Sequence, residues 1–257
     1  MKKIFGLLVL FMLTTLTAYS KDMRFIQVDG ALYNSKEPSK FEALIEKINA
    51  EKNVEFVVFT GNNIHKPSII ELKSFLKKAK KLKRPYYVVL GQKDINKQKK
   101  LDKNEYMKIV RKNNRTHRMI YSPNYSFTKK GITFIVADGS KEVIPTSIGY
   151  YKEDVILWLD DQLDDNEDKN VIILQHYPLI PPSKKETHYT YKADEYLKLL
   201  SEHNNVKAVI AGHFNINNEQ NVNGIIHIST KEAPKYRIID ILDYETKNPT
   251  FWSTIKE

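Results

Sequence analysis

Val54-Glu55-Phe56-Val57-Val58-Phe59-Thr60-Gly61-Asn62-Asn63 is a short, almost unbroken apolar run that stops abruptly at a polar turn. A run of this length, rich in β-branched and aromatic residues, reads as a strand buried on both faces, the signature of a central parallel sheet. Its neighbours agree. Upstream, Phe25-Ile26-Gln27-Val28-Asp29 reads as a strand, and Phe41, Leu44, Ile45 and Ile48 stand at i, i+3, i+4 and i+7 of a helix. Downstream, a helix from about Pro67 carries Ile69, Leu72, Leu76 and Ala79 on one stripe, and Tyr86 to Leu90 forms a third strand. Strand, helix, strand, helix, strand makes two successive βαβ units, whose functional loops lie beyond the carboxyl ends of the strands.

A polar connection from about Asn96 to Asn124 separates this half from a second one. Tyr125 to Ala137, turning at Lys129-Lys130-Gly131, reads as a hairpin. A helix with Ile156, Leu159 and Leu163 inward leads to the strand Val171 to Gln175. A helix with Ala193, Tyr196, Leu197 and Leu200 inward leads to the strand Val206 to Ala211. Trp158 and Tyr196 sit at core spacings. The C-terminal part is expected to form two or three antiparallel strands, Ile225 to Ser229, Tyr236 to Leu242 and Thr250 to Thr254. No repeat or linker divides the chain, so residues 21–257 read as one domain with two sheets.

Residues 1–20 are a separate object. Lys2 and Lys3 precede an apolar run from Ile4 to Leu13, and Ala18-Tyr19-Ser20 offers small residues at the positions a signal peptidase reads. The run is shorter than the roughly 20 residues a spanning helix needs, so a cleaved export signal is expected, with a periplasmic or extracellular product and no stable membrane anchor. The chain has 257 residues, no cysteine and a net charge of +10. Zero cysteine excludes disulfides, thiolate metal sites and a cysteine nucleophile, leaving His, carboxylate and amide groups as metal ligands. Much of the charge lies in Lys77 to Arg84 and Lys97 to Lys103. The first run belongs to the amphipathic helix, so its lysines are expected to be a solvated face rather than an anionic-surface patch. No nucleic-acid motif accompanies them, and no nucleic-acid partner is expected.

The punctuation is the informative part. Five apolar strands run into polar clusters: Val28-Asp29-Gly30, Thr60-Gly61-Asn62-Asn63, Leu90-Gly91-Gln92-Lys93-Asp94, Gln175-His176-Tyr177-Pro178 and Ala211-Gly212-His213-Phe214-Asn215. Convergent His, Asp and amide groups on rigid strand ends are what a metal or phosphate site requires.

In order and spacing these clusters resemble the calcineurin-like metallophosphoesterases. That family carries Asp-x-His, Gly-Asp, Gly-Asn-His-Asp/Glu, a lone His and Gly-His-x-His after successive strands. The helix Leu157-Trp158-Leu159-Asp160-Asp161-Gln162-Leu163 is also similar to the family's, and the resemblance covers almost the whole chain after the leader. It implies an α/β four-layer sandwich of two mixed β-sheets flanked by helices. It also implies a site in which two divalent metals share an aspartate and a hydroxide and hydrolyse phosphate mono- or diesters.

Position by position, the chain departs from that pattern. Asp29 matches the first Asp, but Ala31 stands at the His; an ungapped match offers only Gly30 and Leu32. Asn62 replaces the bridging Asp. Gln92 and Lys93 replace the third motif's Asn and catalytic His, while Asp94 is kept. His176 and His213 match, and Asn215 replaces the final His. Two dications about 3.5 Å apart repel by roughly 19 kcal/mol at an effective dielectric of about 20, and bridging anions make such a pair tolerable. A neutral Asn62 beside a cationic Lys93 works against it.

The resemblance therefore implies Asp29, Asn62, Gln92, His176, His213 and Asn215 as the remaining metal-side positions, and Lys93, His176 and Asp94 as the catalytic ones. The expected cofactor is none or a single divalent metal (zinc, manganese or iron), with no dinuclear centre. The leading expectation is a pseudo-phosphoesterase that binds a phosphate-bearing or anionic ligand, or a protein partner. The alternative is a one-metal phosphoesterase using His176 and His213, with Lys93 stabilising phosphate. His65, His117, His188, His203 and His227 are read as surface or structural residues, and Pro181 to Tyr191 as a connector or a lid.

Overall fold

The structure is a computed structural model that describes residues 22–31, 33–183 and 187–257. The leader at residues 1–20 lies outside the described residues. So do Leu32 and the centre of the Pro181–Tyr191 loop, residues 184–186.

Eleven strands form two sheets. The first contains β1 (Met23–Val28), β2 (Val54–Phe59), β3 (Tyr86–Val88), β10 (Tyr236–Leu242) and β11 (Thr250–Lys256), in the order β11-β10-β1-β2-β3. The second contains β4 (Tyr125–Lys129), β5 (Ile132–Ala137), β6 (Val171–Gln175), β7 (Val206–Ala211), β8 (Asn218–Val222) and β9 (Ile225–Ser229), in the order β4-β5-β6-β7-β9-β8. Both sheets are mixed: β1, β2 and β3 run parallel, as do β5, β6, β7 and β9, while β10, β11, β4 and β8 pair antiparallel.

The alternation of side chains along each strand explains why the runs are apolar throughout. On β2, Phe56 and Val58 face the opposite sheet, whereas Val57 and Phe59 face the helices. On β6, Ile172 and Leu174 face the opposite sheet, and Val171 and Ile173 face outward. The sheet interface is aromatic: Phe56 stacks on Phe25 at 4.9 Å and meets Phe134 edge-on at 5.0 Å, and Tyr87 stacks on Phe127 at 3.6 Å. Three helices, α1 (Pro38–Ala50), α2 (Ile69–Ala79) and α3 (Lys103–Asn113), cover the first sheet. Two more, α4 (Glu153–Asp164) and α5 (Ala193–Glu202), cover the second. This is the four-layer α/β sandwich expected.

Several elements differ from the sequence reading. The connection expected from Asn96 to Asn124 contains α3, started by the Asp102 side chain accepting from Glu105 N at 2.8 Å and held down by Tyr106, Met107, Ile109 and Val110. Ser68, not Pro67, caps α2, which ends at Ala79, so Lys80 to Arg84 lie beyond the helix rather than on its face. Ile225–Ser229 is not part of a C-terminal antiparallel set. It runs parallel to β7 in the second sheet, with the unanticipated β8 outside it. Trp158 is only half-buried, whereas Tyr196 is buried.

Candidate functional site

The parallel strands bring the five polar clusters to one rim, with Asp29, Thr60 to Asn63 and Gly91 to Asp94 from the first sheet and His176 and Gly212-His213 from the second. Close approach between the sheets depends on two glycines. A Cβ on Gly212 would overlap the Asp29 carboxylate, and one on Gly61, at φ +99, would overlap the His176 ring. Three non-glycine residues at the rim also hold left-handed backbone: Asn62 (φ +52), His213 (φ +70) and Asn215 (φ +55). Such conformations cost on the order of 1 kcal/mol each and concentrate where function constrains the chain.

His176 is buried and both ring nitrogens are engaged. Nδ1 lies 2.6 Å from Thr60 O and Nε2 lies 2.7 Å from the Gln92 side-chain amide. Burial, then His213 and Lys93, hold its pKa well below the ordinary value, so the ring is neutral. A carbonyl can only accept, which places the proton on Nδ1 and leaves Nε2 as an acceptor. The atom nearest Nε2 is Gln92 Oε1, and since two acceptors cannot pair, the amide is assigned the half-turned orientation that puts its NH2 on Nε2. The Nε2 lone pair, the atom a metal would use, is occupied by a neighbouring amide.

The other residues expected at the metal positions are also engaged. Asp29 is 1 % exposed; its oxygens accept from Thr60 Oγ1 at 3.1 Å and His213 N at 2.9 Å, and Oδ1 stands 3.8 Å from His176 Nδ1. Burial, and then the charge of Glu232, push its carboxyl well above the usual range. Asn62 Oδ1 accepts from Lys93 N at 3.0 Å. His213 Nε2 donates to Ser147 O at 2.7 Å, and its ring lies 4.9 Å from that of His176. Asn215 is exposed, and its Oδ1 accepts from Glu232 N.

Asp29, Gln92 and His176 thus come together, His213 joins them through its backbone and ring, and the Asn215 side chain is tied to the connection between β9 and β10. Asp94, expected in the catalytic group, is fully buried. Its oxygens accept from Gly91 N, Ile64 N and Asn63 Nδ2, so it shapes the loop that carries Gln92 and Lys93. Burial raises its pKa to about 7.

These donors do not fit a dinuclear centre. No carboxylate stands at Asn62, and the lone pairs of Asp29, Asn62 and His176 are each directed to a protein donor. Among the described residues, the one group of three His or acidic residues whose ligand atoms lie within 4.8 Å of one another is Asp160, Asp164 and His203, at the C-terminal ends of α4 and α5 and outside the rim.

Two further features had no sequence signal strong enough to find them. The first is a buried chain of hydrogen bonds through the sheet interface. Arg237 Nε donates to Thr230 Oγ1 (2.9 Å), Thr230 donates to Gln27 Oε1 (2.6 Å), Gln27 Nε2 donates to Thr60 Oγ1 (3.1 Å) and to Ala211 O on β7 (2.8 Å), and Thr60 donates to Asp29. Apart from the branch to Ala211 O, each donor points from the Arg237 cation toward the Asp29 carboxyl, so the chain is polarised in one sense. The second is His188, whose ring stacks on His213 at 4.9 Å and 30°. Its loop is joined to the segment at Gly149 by Gly149 N to Tyr189 O (2.9 Å) and Tyr191 N to Gly149 O (2.8 Å). The described part of the Pro181–Tyr191 loop therefore covers the His213 side of the rim.

Comparison with known proteins agrees with this architecture. The profile of the calcineurin-like phosphoesterases matches residues 35–216. A dimetal phosphatase from Danio rerio is similar in structure over 89% of this chain and 98% of its own, at 15% identity and a TM-score of 0.66. A purple acid phosphatase from yellow lupin seeds is similar over 93% of this chain and 52% of its own, at 12% identity and TM-score 0.66. The anchor in the inner membrane complex of Plasmodium is similar over 92% and 90%, at 16% identity and TM-score 0.60. No curated protein matches the sequence.

Proposed function

The chain belongs to the calcineurin-like phosphoesterase family, a metal-dependent hydrolase family, and we propose that it is an exported member that binds a phosphate-bearing ligand at the rim without hydrolysing it. The observation that carries this reading is the pairing at Asn62. A neutral amide stands where two metals would share a carboxylate, and its oxygen is held by the backbone of Lys93. What remains at the rim is a half-buried lysine, a neutral imidazole and a buried aspartate whose ionisation is disfavoured. That balance attracts an anion and repels a cation pair. The Plasmodium neighbour, described as an anchor, supports a binding use of the same fold.

One observation favours a second reading, an enzyme with a single metal. Thr60 O fixes the His176 proton on Nδ1, an arrangement that readies Nε2 for ligation. The two readings separate in one experiment on the purified mature protein. Orthophosphate binding and hydrolysis of 4-nitrophenyl phosphate mono- and diesters are measured with added manganese or zinc. Binding without turnover, lost in Lys93→Ala, is the expected result. Turnover that disappears in His176→Ala would overturn it in favour of the one-metal enzyme. Export belongs to the same proposal: N-terminal sequencing of the secreted chain should begin at Lys21, and a chain retaining Met1 contradicts it.

A further inference from the structure

At the opposite end of the first sheet lies a second basic feature. Tyr86 begins β3, and the same segment ends at the rim residue Gly91, about 17 Å farther on at roughly 3.3 Å per residue. Around Tyr86 the structure has a cleft of about 800 Å³ whose charged lining residues are Lys80, Lys83, Arg84, Arg115 and Lys129, with no acidic residue among its walls. Among the described residues none of these five cations is in an ion pair. The contrast within one run is informative: Lys78 and Lys81 both pair with Glu42, whereas Lys80, Lys83 and Arg84 line the cleft. Because α2 stops at Ala79, these three leave the helix surface and line the same cleft as Arg115, carried by the turn Arg115–His117 that follows α3.

A second, independent observation lies in the same wall. Tyr86 is 5 % exposed, and its hydroxyl is buried with no hydrogen-bond partner among the described residues. A buried polar group without a partner costs about 1–3 kcal/mol, and most find one. We infer that this cleft is a binding site for a compact polyphosphate, a ligand with two or more linked phosphate groups. A single phosphate brings a charge of about −2, too little for five cations lining one cleft, and two of those cations are guanidinium groups suited to paired phosphate oxygens. The site is an open cleft rather than a flat face, with room for a compact anion between its walls. Tyr86 and Tyr87 are buried, so the cleft lacks the exposed aromatic platforms on which single-stranded nucleic acids stack. This inference is independent of the rim's function.

The test titrates tripolyphosphate into the full mature chain by calorimetry, with orthophosphate, an oligo(dT) strand and anionic vesicles as comparisons. Tripolyphosphate is expected to bind about tenfold more tightly than orthophosphate at low ionic strength and to weaken steeply as salt rises. Arg84→Ala with Arg115→Ala is expected to reduce that affinity at least about tenfold. Tyr86→Phe removes a buried oxygen that makes no hydrogen bond to any described residue; it should melt no lower than the parent yet bind tripolyphosphate about threefold more weakly. The titrations are repeated in Lys93→Ala, which removes binding at the rim; the tripolyphosphate affinity that depends on Arg84 and Arg115 should persist there. Binding no tighter than orthophosphate, or indifferent to all cleft variants, would overturn the inference. So would binding abolished by Lys93→Ala, which would place the anion at the rim, or a tighter, Arg84- and Arg115-dependent affinity for oligo(dT) or vesicles.

Discussion

Gln27→Leu tests how the two halves of the rim are held in register. Gln27 is fully buried on β1 and makes three hydrogen bonds, two of them to partners carried by the second sheet or the segment after it. Leucine fills a similar volume but leaves the Thr230 hydroxyl proton without its acceptor, and it removes one hydrogen bond each from Thr60 Oγ1 and from Ala211 O, which keeps the backbone donor Thr230 N at 3.2 Å. The orphaned proton costs about 1–3 kcal/mol and the two other lost hydrogen bonds about 1 kcal/mol each, and the added apolar surface returns about 1 kcal/mol, so a net loss of roughly 2–4 kcal/mol is expected. Urea unfolding should show a lower midpoint at unchanged m. Orthophosphate affinity at the rim should fall as well, because Thr60 loses the donor that orients its hydroxyl toward Asp29. A variant as stable as the parent would refute the idea that the polar chain joins the sheets. A variant that is destabilised but binds phosphate normally would separate the chain from the site.

Two other predictions concern packing and protons. Gly212→Ala should be destabilised by about 3 kcal/mol or more through overlap with the Asp29 carboxylate, and adding Asp29→Ala should recover part of that loss, with a coupling of about 1–3 kcal/mol in a double-mutant cycle; simple additivity would show that the two residues do not meet. Asp94 and His117 should tilt the pH dependence of stability in opposite directions. Burial raises Asp94 to about 7, above an unfolded value near 3.9, so the folded chain keeps a proton the unfolded chain has lost, and stability falls as pH rises from about 4 to 7, by at most about 4 kcal/mol. His117 accepts from Val88 N and is held neutral by burial, down to about 3, against about 6.5 unfolded, so its contribution is lost as pH drops from about 6.5 to 3, by at most about 5 kcal/mol. Urea melts at several pH values should show Asp94→Asn removing the first slope and His117→Gln the second; unchanged slopes in both would contradict the assignment.

The fold was legible because strands buried on both faces are written as continuous apolar runs, and Val171–Gln175 and Val206–Ala211 have the bounds read from the pattern alone. Pairing was less legible. Nothing local in Ile225–Ser229 distinguishes a parallel neighbour in one sheet from an antiparallel neighbour in the other, and the edge strand Asn218–Val222 is too polar to announce itself. The helix Lys103–Asn113 was hidden because its apolar contacts are compressed into Tyr106, Met107, Ile109 and Val110 within a lysine-rich stretch. At the site, strand ends gave the positions of His176, His213 and Asn62, but not what their polar atoms touch. The Gln92 amide on His176, the stacking of His188 on His213 and the polar chain through Gln27 join residues far apart in sequence, and spacing along the chain carries no record of such contacts.

The central claim is that a neutral Asn62 beside Lys93 leaves the rim unable to hold two cations. Anomalous diffraction from crystals soaked in manganese addresses it directly. The account predicts no pair of ions between the ends of β2, β3, β6 and β7. Two well-occupied peaks about 3.5 Å apart, flanked by Asn62 and His176, would contradict it.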